Sequence, residues 1–283
     1  MKLAVITDTS AALSDELIAK DDLYILDIPI AIDGQTYVEG QNLTIDEFYD
    51  KMAASVELPK TSQPSLAALD DLLIRLKSEG YSHVIGLFLS SGISGFWSNI
   101  QFLVDEHQDL TIAFPDTKIT SAPQGNLVRN ALIWSEAGMD FETIVTKLQE
   151  QIDKITAFIM VDDLNHLVKG GRLSNGSALL GNLLSIKPIL RFDEEGKIVV
   201  YEKIRTEKKA IKRLITILEE VTSDGRYEIA VIHSRAQEKA DQFYNLLVES
   251  GYPEEDLTIV PFGGVIATHL GAGAVAFGIT PRD

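Results

Sequence analysis

The sequence predicts an α/β protein in two parts, a parallel-sheet domain followed by a mixed-sheet domain. In the first half, short apolar runs alternate with amphipathic segments, the pattern of parallel strands joined by helical crossovers. After residue 156 the texture changes, and Asp193-Glu194-Glu195-Gly196-Lys197 reads as a hairpin turn, which a purely parallel sheet does not contain. The 283 residues, 45% of them apolar, are enough to build substantial cores.

Taken in order, the apolar runs Leu3–Thr7, Tyr24–Ile32, Val84–Leu89 and Thr111–Phe114 are expected to be strands. Between and after them lie helices over Thr44–Ala54, Ser65–Glu79, Ser94–Glu106 and Gly125–Gly138. Thr44 three residues ahead of Glu47 has the spacing of a capping box, and Ser65 precedes Leu66, Leu69 and Leu73 at helical intervals. A helix over Phe141–Ile152 closes this half, and a boundary near residue 156 divides the chain into 1–156 and 157–283. The second half offers strands at Ala157–Val161, Pro188–Phe192, Ile198–Lys203, Ile229–His233 and Leu257–Phe262, with helices over Ala178–Leu184, Lys208–Val221 and Ala236–Ser250. The stretch Leu257 to Pro281 reads as a short strand, a Gly-rich turn and a short apolar helix. No Pro/Gly/Ser linker, low-complexity tract or repeat marks the boundary, so the two parts should share a broad interface whose cleft is the expected ligand site.

The formal charge of −17 and pI near 4.7 give a surface that repels phosphate backbones and anionic membranes, which argues against nucleic-acid binding and stable membrane insertion. With no cysteine there is no disulfide, thiolate nucleophile or cysteine metal site. The start, Met1 to Asp8, has too short an apolar run for a secretory signal, so the cytoplasm is the expected compartment. Leu257 to Pro281 carries no formal charge over 25 residues, yet its five glycines, two prolines and His269 suit a buried core better than a membrane span.

Chemistry is concentrated in hydroxyl-rich segments. Ser90-Ser91-Gly92-Ile93-Ser94-Gly95 follows a strand and precedes a helix, where backbone N–H groups and hydroxyls converge on an anion. Lys60-Thr61-Ser62-Gln63-Pro64 is a second such loop; Ser62 and Ser65 would serve equally as turn and cap residues. Neither is a Gly-x-x-x-x-Gly-Lys-Ser/Thr loop or a Gly-x-Gly-x-x-Gly fingerprint, so nucleotide chemistry has no visible seat. Ser94 could cap its helix or act as a nucleophile, although its setting lacks the Gly-x-Ser-x-Gly elbow. His269, alone, would be a core histidine, but the glycines of His269-Leu270-Gly271-Ala272-Gly273 suit close backbone approach, and a neutral imidazole can orient a hydroxyl. The five histidines have no metal-ligand spacing; Asp162-Asp163 with His166 reads as an ordinary solvated or capping group. Arg172, after two glycines, and Arg205, at a strand end, would make surface ion pairs or bind an anion. Asp8 ends the first strand, a position suited to a functional acid or a cap.

Taken together, Thr7-Asp8-Thr9-Ser10, Lys60-Thr61-Ser62-Gln63-Pro64-Ser65, Ser90-Ser91-Gly92-Ile93-Ser94-Gly95, Lys169-Gly170-Gly171-Arg172-Leu173-Ser174, Ile186-Lys187-Pro188-Ile189-Leu190, Lys203-Ile204-Arg205-Thr206 and His269-Leu270-Gly271-Ala272-Gly273 resemble the DegV family in order and nearly end to end. The resemblance implies a two-domain α/β protein enclosing one long-chain fatty acid in a tunnel between the domains, the FakB-type binding subunit of bacterial fatty acid kinase. It further implies that Thr61 and Ser94 hold the carboxylate with His269 in the same network, alongside Ser62 and Gly95. Arg172 and Arg205 would lie near the carboxylate mouth and the kinase-facing surface. The chain departs from many members at Ser94-Gly95-Phe96-Trp97, where Ser-Gly-Thr-Tyr is common, and at His269-Leu270-Gly271-Ala272-Gly273, where His-x-Gly-Pro-Gly is common. Both changes bear on pocket shape.

The function so implied is a carrier, not an enzyme. It would sequester the acid, each buried methylene contributing roughly 0.8 kcal/mol, and present the carboxylate to a separate kinase. That kinase would bring ATP and metal and leave acyl phosphate for phospholipid synthesis; the carrier itself would need no cofactor or metal. Two other readings compete: a serine hydrolase or acyltransferase using Ser94 and His269, and a binding domain for a sugar or other polar metabolite.

Overall fold

A computed structural model of the chain describes residues 1–174 and 186–282. The first half contains β1 (Leu3–Asp8), α1 (Asp15–Ile18), β2 (Leu23–Leu26), β3 (Ile30–Ile32), β4 (Gln35–Tyr37), α2 (Ile45–Ala54), β5 (Lys60–Thr61), α3 (Leu66–Ser78) and β6 (His83–Leu87). It continues through α4 (Phe96–Ile100), α5 (Phe102–Glu106), β7 (Thr111–Ala113), α6 (Ser121–Glu136) and α7 (Phe141–Ile152). The second half runs β8 (Thr156–Met160), α8 (Asn165–Lys169), β9 (Lys187–Phe192), β10 (Ile198–Ile204), α9 (Glu207–Val221), β11 (Tyr227–His233), α10 (Gln237–Glu249), β12 (Leu257–Pro261), α11 (Gly264–Leu270) and β13 (Val275–Pro281). The expected helix over Ala178–Leu184 lies outside the described residues.

β1, β2, β6 and β7 form a wholly parallel sheet in the order β2-β1-β6-β7. A six-stranded sheet has the order β10-β9-β8-β13-β11-β12 and is mixed, every neighbouring pair being antiparallel except β11 with β12. β9 and β10 pair antiparallel across the Asp193–Lys197 turn, as the sequence predicts. A small antiparallel sheet, β4-β3-β5, adds a third element.

Period-two alternation assigns the strand side chains to layers. Ala4 and Ile6 of β1 face a core beneath α3, α4 and α5, whereas Leu3 and Val5 face a central core that also holds residues of α6 and α7. In the larger sheet Phe158, Met160, Val231 and Phe277 face α9 and α10. Their neighbours Ala157, Ile159, Ile232 and Ala276 face the same central core that Leu3 and Val5 enter. The two sheets therefore share one continuous apolar interior.

Helix starts follow their caps. The Thr44–Glu47 capping box is formed in both directions, Ser65 accepts from the Ala68 N–H, and Asp140 and Thr206 cap α7 and α9. Four expectations need correction. Tyr24–Ile32 is two strands in two sheets, β2 and β3, because Pro29 supplies no N–H and forces the chain to turn between them. Ser94–Glu106 is two short helices; at the break the Gln101 side chain donates to the Trp97 carbonyl at 2.8 Å. α6 begins at Ser121, four residues ahead of Gly125. Leu257–Pro281 is strand, helix, glycine turn and strand: His269 lies on α11, and Val275–Pro281 is a strand inside the larger sheet. Among the described residues no helix is long and apolar enough to cross a membrane.

Candidate functional site

A cavity of about 300 Å³ lies in the central layer, within the size range of small-molecule sites. Its floor is the inner face of the larger sheet: Ala157 and Ile159 of β8, Ala276 of β13 and Ile232 of β11. Ala276 is opposite Ile159 on one side and Ile232 on the other, so alanines alternate with isoleucines and leave room above the strands. Phe192 and Ile198 from the β9–β10 hairpin, with Phe262, Val265 and Ile266, extend the apolar wall. Its other side is built from loops at the carboxyl ends of β6 and β7, the place where open α/β sheets collect ligands.

Most of the polar lining groups gather where the cavity meets the surface, Thr120 and Ser121 being buried deeper. Thr61, Ser62, Ser94, Gly95, His269 and Arg172 all line it, together with Gln63. Ser62, Gln63 and Gly95 are exposed, whereas Thr61, Ser94, Arg172 and His269 are partly buried. Thr61 is not in a loop: it is the second residue of β5, held against Ile30 of β3. This strand packs beside α11, whose last turn carries His269. Thr61 Oγ1 and His269 Nε2 are 2.7 Å apart.

Burial pushes the His269 imidazole down to about 3, with the positive charge of Arg172 and the neighbouring His166 ring adding to the effect. The ring is thus neutral at ordinary pH. Its other nitrogen lies against Gly170, where a Cβ would come within 2.8 Å of Nδ1, so the turn after α8 needs glycine to let the ring in. From the same turn Arg172 donates to the Gly170 carbonyl at 2.6 Å and to the Ile93 carbonyl at 3.3 Å. It thereby ties the Gly170 turn to the Ser90–Gly95 loop, and it is the one formal cation among the described lining residues.

Ser94 Oγ accepts from the Phe96 N–H at 3.3 Å in a local turn, but Gly95 stands at the N-cap of α4 and no side chain caps it, so the capping expectation for Ser94 is corrected; its hydroxyl proton remains available for donation. The loop before it is braced by the C-terminal half. Ser90 donates to the Gly196 carbonyl of the β9–β10 turn at 2.7 Å, and Gly92 lies so close that a Cβ there would sit 2.3 Å from Gly196 backbone atoms. Phe96 and Trp97 face away from the cavity: Phe96 is buried in the core beneath the parallel sheet, and Trp97 packs on that core with its indole donating to the Phe114 carbonyl at 2.7 Å. Neither Phe96 nor Trp97 therefore shapes the pocket directly, and Ala272, the departing residue of the second motif, is not among the lining residues, although its neighbour Leu270 is.

Arg205 stands apart, exposed beyond the end of β10 and not among the lining residues. Asp162 is paired to Lys187 at 2.6 Å and Lys239 at 3.0 Å, and among the described residues no His/Asp/Glu group could hold a metal ion. A Ser94–His269 dyad is not formed, since the hydrogen bond at Nε2 goes to Thr61. Sequence reasoning missed Thr120 and Ser121, which line the cavity at the start of α6; Pro123 in the first helical turn marks a helix start there, but nothing local marks the two hydroxyls as cavity-lining.

A family model described as "Uncharacterised protein, DegV family" matches residues 2–282. A DegV domain-containing protein of Streptococcus pyogenes is 67% identical over 282 residues, covering all of both chains. The fold is similar to the crystal structure of a fatty acid binding DegV family protein from Streptococcus agalactiae, with 72% identity, a TM-score of 0.98 and full coverage of both chains. It is also similar to DegV, a fatty acid binding protein from Bacillus subtilis, at 35% identity and a TM-score of 0.88, again over the full length of each.

Proposed function

The chain belongs to the DegV family, and from that premise we propose that it binds one long-chain fatty acid in the cavity between its sheets. The hydrocarbon lies over the Ala157, Ile159, Ile232 and Ala276 floor, and the carboxylate sits at Thr61, Ser62, Ser94, Gly95 and His269. The observation that carries this reading is the cavity itself, predominantly apolar in its interior and hydroxyl-lined at its mouth.

The Thr61–His269 pair has a definite task in it. If Nε2 carried no proton it would consume the Thr61 hydroxyl proton, leaving nothing for the ligand. With the proton on Nε2, His269 donates to Thr61 Oγ1, and the Thr61 hydroxyl is free to donate to the carboxylate. Ser94 adds a second hydroxyl donor, and Arg172 supplies the compensating charge near the mouth, so a partly desolvated carboxylate is not left unpaired.

In this role residues 1–156 and 157–283 act as two domains enclosing the acid, and the protein is a cytoplasmic carrier. The exposed rim at Ser62, Gln63 and Gly95 leaves a carboxylate oxygen open to a separate fatty acid kinase. That enzyme brings ATP and metal, the carboxylate oxygen attacks the γ-phosphorus, ADP leaves, and acyl phosphate passes to phospholipid synthesis. Arg172 lies near the transferring group and Arg205 on the kinase-facing surface.

Denaturing the purified protein and identifying what it releases by mass spectrometry tests the reading. Near-stoichiometric fatty acid, depleted in Thr61→Ala and Ser94→Ala, is the expected result. Absence of lipid even after incubation with a panel of fatty acids would overturn it. Incubation of the loaded protein with ATP, Mg²⁺ and a candidate kinase, with acyl phosphate trapped as its hydroxamate, tests the partnership separately.

A further inference from the structure

The cavity contains a second polar position that the carboxylate reading does not use. Ser121, 2% exposed, lines it, and the Ser121 hydroxyl is buried without any hydrogen-bond partner. Buried hydroxyls are ordinarily paired, and those nearby are: Thr120 donates to Ser10 at 3.0 Å, Ser10 to Asp8, and Thr117 to the Phe88 carbonyl at 2.6 Å. Ser121 also holds a φ of 59°, a left-handed conformation uncommon for a residue with a Cβ, while its carbonyl is fixed by the Ala12 N–H at 3.1 Å. An unpartnered hydroxyl kept on a constrained backbone is the kind of outlier from which a site is inferred. It stands at the N-terminus of a 16-residue helix, whose first-turn N–H groups favour an electron-rich atom at the same end.

We infer that Ser121 is a subsite for a hydroxyl group carried on the acyl chain, so that the preferred ligand class is hydroxylated long-chain fatty acids. This rests on the fatty-acid reading above. A second carboxylate is a poor occupant, because Arg172, the one cation among the described lining residues, is committed at the mouth and the carboxyl group of Asp8 lies behind Ser10. A hydroxyl suits the position, since it can accept from Ser121 or the helix terminus and carries no charge to desolvate.

The test is competitive binding of stearic acid against a set of hydroxystearic acids differing in hydroxyl position, measured on delipidated full-length protein. One isomer should bind roughly five- to tenfold more tightly than stearic acid, the value of one additional buried hydrogen bond. In Ser121→Ala that ratio should collapse to near one. Ser121→Gly, which adopts a positive φ readily, should give the same collapse and guards against a folding defect in the alanine variant. Stearic acid bound as tightly as every isomer, or a preference that survives both substitutions, would overturn the subsite alone. If none of the acids binds, the fatty-acid reading falls and the subsite falls with it.

Discussion

Thr61 and His269, 208 residues apart in sequence, meet at 2.7 Å because a two-residue strand is packed beside the helix that carries the histidine. In the proposed site Thr61 is the donor and His269 its orienting partner. Thr61→Val preserves the branched shape and removes the hydroxyl, so a bound carboxylate loses one donor. Fatty acid affinity should fall roughly tenfold to a hundredfold, corresponding to about 1–3 kcal/mol. Displacement of a fluorescent fatty acid reads this directly, and the methyl ester of the same acid should respond much less.

His269 should imprint a pH dependence on folding. Its folded pKa, about 3, lies below the usual histidine value, so between those values the unfolded chain binds the proton and the folded chain does not. Stability therefore rises with pH across this window and is lost as pH falls from about 6.5 toward 3. His269→Gln removes the contribution, and chemical denaturation at a series of pH values should show a flatter acid limb for the variant. An unchanged slope would mean the ring is not buried as a neutral base.

Arg172 spans two carbonyls, Gly170 and Ile93, which a lysine ammonium at the end of a flexible stem does not reproduce. Arg172→Lys should keep the charge but loosen the joint between the two loops, lowering the melting temperature by a few °C. Arg172→Gln should add a further loss of fatty acid affinity. Calorimetry and binding measured on both variants separate the bracing from the charge.

At Gly92 an added Cβ would meet Gly196 backbone at 2.3 Å, and backbone has no rotamer to escape into. Gly92→Ala should destabilise by about 2 kcal/mol or more through overpacking. Ser90→Ala, which deletes the hydrogen bond donated to the Gly196 carbonyl and the one accepted from the Gly92 N–H at 3.1 Å without crowding the hairpin, should cost about 1–2 kcal/mol. Urea titration of the two variants distinguishes them. Equal midpoints for Gly92→Ala and the parent chain would show that the hairpin can retreat without cost.

Much of the layering was legible because alternation is a direct consequence of strand geometry: Leu3 and Val5 face one way, Ala4 and Ile6 the other. β13 was not legible as a strand, since it is buried along both faces within its sheet and its Ala-Phe-Gly run has no polar alternation to read. β5 is too short to carry any periodic signal, yet it positions Thr61. Thr61, Ser94, His269 and Arg172 emerged as a set from motif order; no spacing rule joins residues brought together from opposite ends of the chain. Ser121 escaped because Thr120-Ser121-Ala122-Pro123 looks like any helix start, and only a three-dimensional inventory of hydrogen bonds reveals its free oxygen.

Ile159, Ile232, Phe262 and Val265 line the chamber and also belong to the one apolar mass shared by both sheets. A protein whose container wall is its own keystone cannot trade capacity freely. Each substitution that widens or narrows the chamber also alters how firmly the halves hold together, so new cargo must be accommodated by compensating pairs of changes.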